Sequence, residues 1–166
     1  MPSPASPASW KAIDGGMELD VSVVAVTDDE GRVLEAGWLA RAEAVHRQLR
    51  DRLPPTYAER MATVFAGGAR MAVAADGSAV LALALWRVIE NTHEGRRMYV
   101  DDLVTDEAKR SRGVGKALIA GLEAKARGLG CDVLALDSGT QRTAAHAFYF
   151  REGFVIPSFC FTKELT

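Results

Sequence analysis

The spacing of apolar positions changes several times along this chain, and each change predicts an element. Positions 21–26 are rich in valine and predict a first strand. Asp28-Asp29-Glu30-Gly31 then reads as a turn or a helix approach. From about 33 to 53 the apolar residues Leu34, Trp38, Ala42, Val45 and Leu49 recur at helical spacing, with Arg and Glu between them. Pro54-Pro55 stops that helix, and Thr56 can cap a second one running to about Phe65 and Gly67-Gly68. Arg52 and Tyr57 stand at the joint between the two helices.

Strand periodicity returns at 71–75 and 79–89, two apolar runs around Asp76-Gly77-Ser78, a hairpin signal. The second run is apolar on both faces through Leu85, as an inner strand is, with Trp86 either in the core or lining a pocket. Positions 91–95 predict another turn, leading into a strand that ends at Thr105. A helix starts near Gly113 with Val114, Ala117, Leu118, Leu122 and Leu129 on one face, and Gly128 and Gly130 bracket its end. A short, nearly all-apolar strand at 131–136 is expected to be buried on both faces. A helix at about 141–152 and a last strand at 154–161 complete the chain. A strand meander followed by helix, strand, helix and strand predicts a mixed α/β (α+β) sheet layered with helices.

Composition narrows the function classes. The chain has 166 residues, 48% apolar and 25% charged, enough for one domain with a sizeable core. Residues 1–16, with Pro2, Pro4, Pro7 and Gly15-Gly16, read as a flexible leader, and 17–166 as a single domain. A formal charge of −2 offers no global basic field for nucleic acid. No apolar run has membrane-spanning length and no signal sequence opens the chain, so no membrane partner is expected and the cytoplasm is the default location. Cys131 and Cys160 read as two buried free thiols. His46 and His93 have no metal-ligand spacing, and His146 reads as a solvated helix residue, so no metal is expected.

The chemistry is concentrated between Tyr99 and Lys116. A strand carrying Asp101-Asp102 is followed by a polar loop and then Arg110-Ser111-Arg112-Gly113-Val114-Gly115-Lys116. The first N–H groups of a helix lack internal partners and sit at the positive end of its dipole, so a helix start with glycines suits a phosphate. A Walker A loop would need glycine at 110 and Ser or Thr at 117, where Arg110 and Ala117 stand. A dinucleotide fingerprint would need glycine at 118, which is Leu118.

The segment does match the Arg/Gln-x-x-Gly-x-Gly/Ala signature of the GNAT N-acetyltransferase superfamily. Ala145-His146-Ala147-Phe148-Tyr149-Phe150-Arg151-Glu152-Gly153-Phe154 resembles that family's later Ala-x-x-x-Tyr-x-x-x-Gly-Phe motif, in the right order and separation. The resemblance is clearest over 97–164 and looser over 33–96. It implies a mixed, mostly antiparallel central sheet with helices on both faces. It also implies an acetyl-CoA-dependent N-acetyltransferase acting on a primary amine of a small molecule or protein, with acetyl-CoA as co-substrate and a homodimer as a possible state.

The resemblance assigns roles residue by residue. Backbone groups of Leu103, Val104 and Thr105 would meet the pantetheine arm. Arg112, Gly113, Val114, Gly115 and Lys116 would give N–H groups to the diphosphate, alongside Ser111, with charge from Arg110 and Lys116. Ala145 and Phe148 lie in the second motif, on the cofactor side. Arg142 replaces an asparagine frequent in the family, and either meets a phosphate or projects into solvent. Tyr149 stands where the family has its general acid, and Phe148, Phe150 and Phe154 offer the plainer reading of a packing aromatic. Asp101 is the candidate base, through a water, or an electrostatic anchor. Regular alternation would send Asp101 and Asp102 to opposite faces unless a bulge intervenes. The helix joint with Arg52 and Tyr57 would wall the acceptor groove, and Glu90 and Glu94 are compatible with a cationic amine.

The acyl-transfer chemistry is consistent with those side chains. An amine with a pKa of about 10 is roughly 4 kcal/mol from its neutral form at pH 7, so a proton acceptor is needed. A phenol with a pKa of about 10 stays protonated and can serve the departing sulfur. Two other readings share the fold: a non-catalytic acyl-CoA-binding or sensing module, and an enzyme using a longer acyl-CoA.

Overall fold

The computed structural model describes residues 9–14 and 17–165, with side chains from Asp20 onward. The chain divides into two compact units, one ending at Ala135 and the other beginning at Leu136. Strands β1 (Ser9–Asp14), β2 (Met17–Ala25), β3 (Arg70–Asp76), β4 (Ala79–Asn91), β5 (Gly95–Thr105) and β6 (Val133–Leu136) form one sheet in that order. The pairs from β1 to β5 are all antiparallel. Helices α1 (Ala36–Leu49) and α2 (Tyr57–Ala66) lie between β2 and β3, α3 (Val114–Gly128) between β5 and β6, and α4 (Thr143–Arg151) in the second unit.

Alternation along the strands sorts the sheet into two faces. Val24, Val26, Met71, Val73, Leu83, Leu85 and Val104 pack with Leu39, Ala42 and Val45 of α1 and Tyr57, Met61 and Phe65 of α2. The intervening residues, Val23, Ala72, Ala74, Ala82 and Ala84, face the other way. A methyl group built on Gly121 of α3 would lie 3.4 Å from Val23, which puts α3 on that second face. Small side chains there let α3 lie close, while the larger ones on the first face fill the space under two helices. Helices α1 and α2 on one face and α3 on the other therefore cover both faces of the sheet, as the motif resemblance implies.

The β3–β4 hairpin follows its signal: Asp76 pairs with Ala79 across a loop in which Gly77 has φ +56°. Trp86 is 6% exposed and packs as core. Asn91 makes the next turn by accepting N–H groups from His93 at 2.9 Å and Glu94 at 2.7 Å.

Several expectations are corrected. Residues 9–14, read as leader, form β1 paired along its length with β2. The proline-rich start concealed the alternation of Ser9, Trp10, Lys11 and Ala12, and Gly15-Gly16 is itself a hairpin sequence. Residues 1–8 of that leader, and 15–16, lie outside the described residues. Helix α1 begins only at Ala36, and Leu34 is 60% exposed, its N–H bonded to the Val26 carbonyl. Thr56 occupies the cap position of α2 without a side-chain cap bond.

Strand β6 is half-buried along its length, not enclosed, because it ends the sheet. No strand forms at 154–161. Pro157 removes a ladder donor there, and Phe159 and Phe161 are 83% and 92% exposed. Both cysteines are free, as expected, yet neither is buried: Cys131 is half-buried at the helix exit, and Cys160 is exposed. Contact with the Asp137 carboxylate pushes the Cys160 thiol up.

Candidate functional site

Three consecutive segments of the first unit carry most of the predicted cofactor contacts. Leu103, Val104 and Thr105 end β5 and pair on one side with Ala84, Leu83 and Ala82. On the other side β6 starts beside Arg96, whose carbonyl accepts the Asp132 N–H at 2.7 Å. Four residues of β6 reach about 13 Å, too short to extend from Arg96 to Leu103. β6 is thus much shorter than β5, which runs from Gly95 to Thr105.

After Thr105 the chain turns through a 3-10 segment, Glu107–Lys109, whose cap Asp106 accepts the Ala108 N–H at 3.1 Å. Gln48 of α1 holds this loop, accepting the Glu107 N–H at 2.9 Å and donating to Asp106 at 3.3 Å. Ser111 has φ +63° and Gly113 φ +79°, so the loop takes two left-handed residues just before the helix. Ser111 is the only non-glycine of positive φ among the described residues. Left-handed residues at a loop–helix junction make concave anion-binding backbones, and strain at such a place points to function.

Gly113 caps α3 with no side-chain bond across the cap. The Ala117 N–H bonds the Gly113 carbonyl at 3.0 Å, so the N–H groups of Val114, Gly115 and Lys116 come ahead of the helical ladder. Val114, 1% exposed, fastens the helix start into the core, while Gly113, Arg110, Ser111 and Lys116 are exposed and Arg112 is half-buried. A helix start that lacks a side-chain cap, with two exposed cations beside it, fits the diphosphate of coenzyme A.

Strand β5 also carries the two carboxylates. Leu85 pairs with Asp102, but Trp86 pairs with Val100, so Asp101 is an extra residue in a bulge. Asp102 lies on the face of Leu85, under α1. It accepts His46 Nε2 at 2.9 Å and Arg50 Nε at 2.6 Å. Burial pushes its carboxyl up, but those two bonds and the Arg50 charge outweigh burial and hold it below the usual carboxylate range. Asp101 accepts Arg87 Nε at 2.8 Å, and the same Arg87 donates through Nη1 to the Gly67 carbonyl at the end of α2. Both carboxylates thus bond to groups on the side of the helix pair, an outcome that regular alternation forbids and the bulge permits.

Tyr57 is not on the groove surface. It is 3% exposed and its hydroxyl lies 2.9 Å from His46 Nδ1. Burial first, then the Glu43 and Asp102 charges, push its phenol far up. Arg52 is exposed at the joint between the helices. Glu90 pairs with Arg96 at 2.7 Å and Glu94 with Arg97 at 2.8 Å, so neither offers an uncompensated charge to a cationic amine. His46, Arg50 and Gln48 are the residues the sequence reading missed. The available signal was a histidine at i+4 from Ala42 on the apolar stripe of α1, opposite an aspartate in the apolar alternation of β5.

The second unit is described by itself. Tyr149 is half-buried in α4, with ring centroids 5.4 Å from Phe148 and 5.6 Å from Phe154. Burial pushes its phenol up against the opposing Arg142 charge, so it keeps its proton at neutral pH. Arg142 is the exposed N-cap of α4. Ala145 and Phe148 are half-buried on the same helix. His146 is half-buried, not solvated, with Nε2 at 3.0 Å from the Gly139 carbonyl. Among the described residues no cluster of three or more His, Cys, Asp or Glu could hold a metal ion, and no helix is long and apolar enough to cross a membrane.

Comparison with known proteins adds a family. The model described as the acetyltransferase (GNAT) family matches residues 36–154. An uncharacterized N-acetyltransferase, YhdJ, of Bacillus subtilis is 40% identical over 93 residues, which are 54% of this chain and 64% of that protein. An aminoalkylphosphonate N-acetyltransferase of Salmonella typhimurium is 36% identical over 66 residues, 40% of this chain and 43% of that protein. The chain thus matches less than two thirds of the length of either curated relative. Among solved structures, the aminoglycoside N-acetyltransferase AAC(6')-Iy in complex with CoA superposes with a TM-score of 0.74 at 14% identity, over 89% of this chain and 95% of that one. That last likeness speaks for the fold.

Proposed function

Because the chain belongs to the acetyltransferase (GNAT) family, we propose that it is an acetyl-CoA-dependent N-acetyltransferase that moves an acetyl group to a primary amine of a small molecule or protein. The observation that carries this reading is the start of α3. Its left-handed Gly113 carries no side-chain cap bond, and exposed Arg110 and Lys116 flank it. In this reading the amides of Arg112, Gly113, Val114, Gly115 and Lys116 take the diphosphate, with Ser111 shaping the loop. The main chain of Leu103, Val104 and Thr105 takes the pantetheine arm, and Arg142, Ala145 and Phe148 contribute further cofactor contacts.

Bound acetyl-CoA supplies the thioester. The amine lone pair attacks its carbonyl carbon, the carbon–sulfur bond breaks, and Tyr149 gives its phenolic proton to the sulfur as it leaves. The proton released by the amine passes through a water to Asp101, whose carboxylate Arg87 keeps in place. In this scheme the protein works in the cytoplasm, and the chain pairs as a homodimer that light scattering of the purified protein would detect.

A thiol-release assay with acetyl-CoA tests the reading. Its amine panel should contain 2-aminoethylphosphonate, an aminoglycoside, a polyamine and a peptide with N-terminal alanine. The first and second follow the activities named for similar proteins. Calorimetry with acetyl-CoA runs beside it. Binding with amine-dependent thiol release is expected. The second reading, a non-catalytic acyl-CoA sensor, draws support from the ion pair that already occupies Asp101. It predicts binding without release for every amine and every acyl chain.

A further inference from the structure

The first unit buries one polar network that the transfer scheme leaves unassigned. His46 is 1% exposed on the sheet-facing side of α1. Its Nδ1 meets the Tyr57 hydroxyl of α2, and its Nε2 meets Asp102 Oδ2 of β5, each at 2.9 Å. Asp102 Oδ1 accepts Arg50 Nε at 2.6 Å. Arg50 then donates through Nη2 to the backbone carbonyl of Asp101 at 3.2 Å. The chain of bonds starts in one helix, crosses a second, and ends on the main chain of the bulge that carries the proposed base.

Its proton order follows from valence. A carboxylate bonded to Arg50 only accepts, so His46 Nε2 must donate to it. A neutral ring then presents a lone pair at Nδ1, which accepts the Tyr57 O–H. The other neutral tautomer would set a lone pair against the carboxylate. A doubly protonated ring would set a donor against Tyr57 and leave its O–H without this acceptor.

We propose that His46, as the Nε2–H tautomer, is a positioning residue for acetyl transfer: it fastens α2 and the bulge of β5 to α1 and so fixes where the Asp101 carboxylate stands. This rests on the acyl-transfer reading given above. Simple core packing would not require the network to continue through Arg50 to the Asp101 carbonyl.

Two measurements test it. A long-range proton–nitrogen NMR spectrum of the wild-type chain near neutral pH is expected to show His46 protonated at Nε2 and bare at Nδ1. Protonation at Nδ1 overturns the proposal. Kinetics with 2-aminoethylphosphonate as probe amine and saturating acetyl-CoA form the second arm. His46→Leu should lower kcat about ten- to a hundredfold, as expected for one lost hydrogen bond to a charged group. The dissociation constant for acetyl-CoA should stay within about twofold, because the phosphate grip at Gly113 does not involve this network. His46→Gln should recover most of the loss, since its amide N–H can replace Nε2–H. If His46→Leu does not fold, Tyr57→Phe removes only one hydroxyl and should still lower kcat by about tenfold. Unchanged kcat in every folded variant, or equal loss of acetyl-CoA binding, overturns the proposal. If the wild type transfers nothing to the probe, that outcome counts against the substrate or the transfer reading. The NMR tautomer then decides this inference alone.

Discussion

Substitution at Gly113 separates backbone strain from obstruction of the phosphate. Gly113 has φ +79° at the cap of α3 and is exposed, so the nearby space does not by itself forbid a side chain. The left-handed conformation costs a non-glycine residue about 1–2 kcal/mol. In a chain of this size that lowers Tm by about 2–8 °C. Asparagine tolerates this conformation and should show the smaller loss, and β-branched valine the larger. Binding should respond differently. Under the proposed assignment a Cβ at position 113 would obstruct the approach of the phosphate to the amides, so both variants should lose at least one hydrogen bond to a charged group. Such a bond contributes about 1.5–3 kcal/mol, which weakens acetyl-CoA binding by about ten- to a hundredfold. The assay is calorimetry with acetyl-CoA on Gly113→Asn and Gly113→Val, together with thermal melts. S-acetylpantetheine is the control donor, because it lacks the diphosphate. The penalty should appear with acetyl-CoA and vanish with the truncated donor. Acetyl-CoA binding within about threefold of wild type, in Gly113→Asn and Gly113→Val variants that remain folded, would refute the assignment of the phosphate to this helix start.

Three further outcomes follow from the same structure. Tyr149→Phe should lower kcat by about a hundred- to ten-thousandfold, the range of general acid catalysis, with acetyl-CoA binding unchanged in calorimetry; full turnover with chemistry rate-limiting removes Tyr149 from the mechanism. Asp101→Ala should abolish the acidic limb of the pH–rate profile if Asp101 is the base; a parallel profile with raised acceptor KM identifies it as an anchor instead. Asp102 has a folded pKa below its unfolded value, so its contribution to stability is present above about pH 4 and fades as pH falls toward the folded pKa. Urea midpoints from neutral pH down to the acid range should therefore fall less steeply for Asp102→Asn than for wild type. Asp102→Asn should also be about 1.5–3 kcal/mol less stable at neutral pH, and parallel curves for the two proteins would contradict the linkage.

Local chemistry explains what the sequence could reveal. The β3–β4 hairpin and the glycine start of α3 depend on residues close in sequence, so they were legible; the expected stop at Pro54-Pro55 was not met, since α1 already ends at Leu49. Strand propensity at 154–161 was equally visible, yet a strand needs a partner, and its residues remain unpaired and largely exposed. Residues 9–14 show the converse, since the partner strand β2 gives order to a stretch that composition had marked as leader. The site divides in the same way. Motifs put Gly113 and Tyr149 forward as candidates, whereas the His46–Asp102 bond joins residues 56 apart, next to a bulge that has no signature of its own.

That bulge determines what α1 does. Without Asp101 as an extra residue, strand alternation would turn one of the two carboxylates toward the α3 face. With it, one turn at the end of α1 reaches three successive features of the chain. His46 and Arg50 hold Asp102, Arg50 holds the Asp101 carbonyl, and Gln48 holds the loop at Asp106 and Glu107. The loop they restrain leads within four residues of Lys109 to Gly113, where the phosphate is proposed to bind. A displacement of α1 would therefore shift the carboxylates and the phosphate loop together. The helix that the family resemblance assigns to the wall of the acceptor groove is, by its hydrogen bonds, also the brace for the strand and loop proposed to receive the acyl donor.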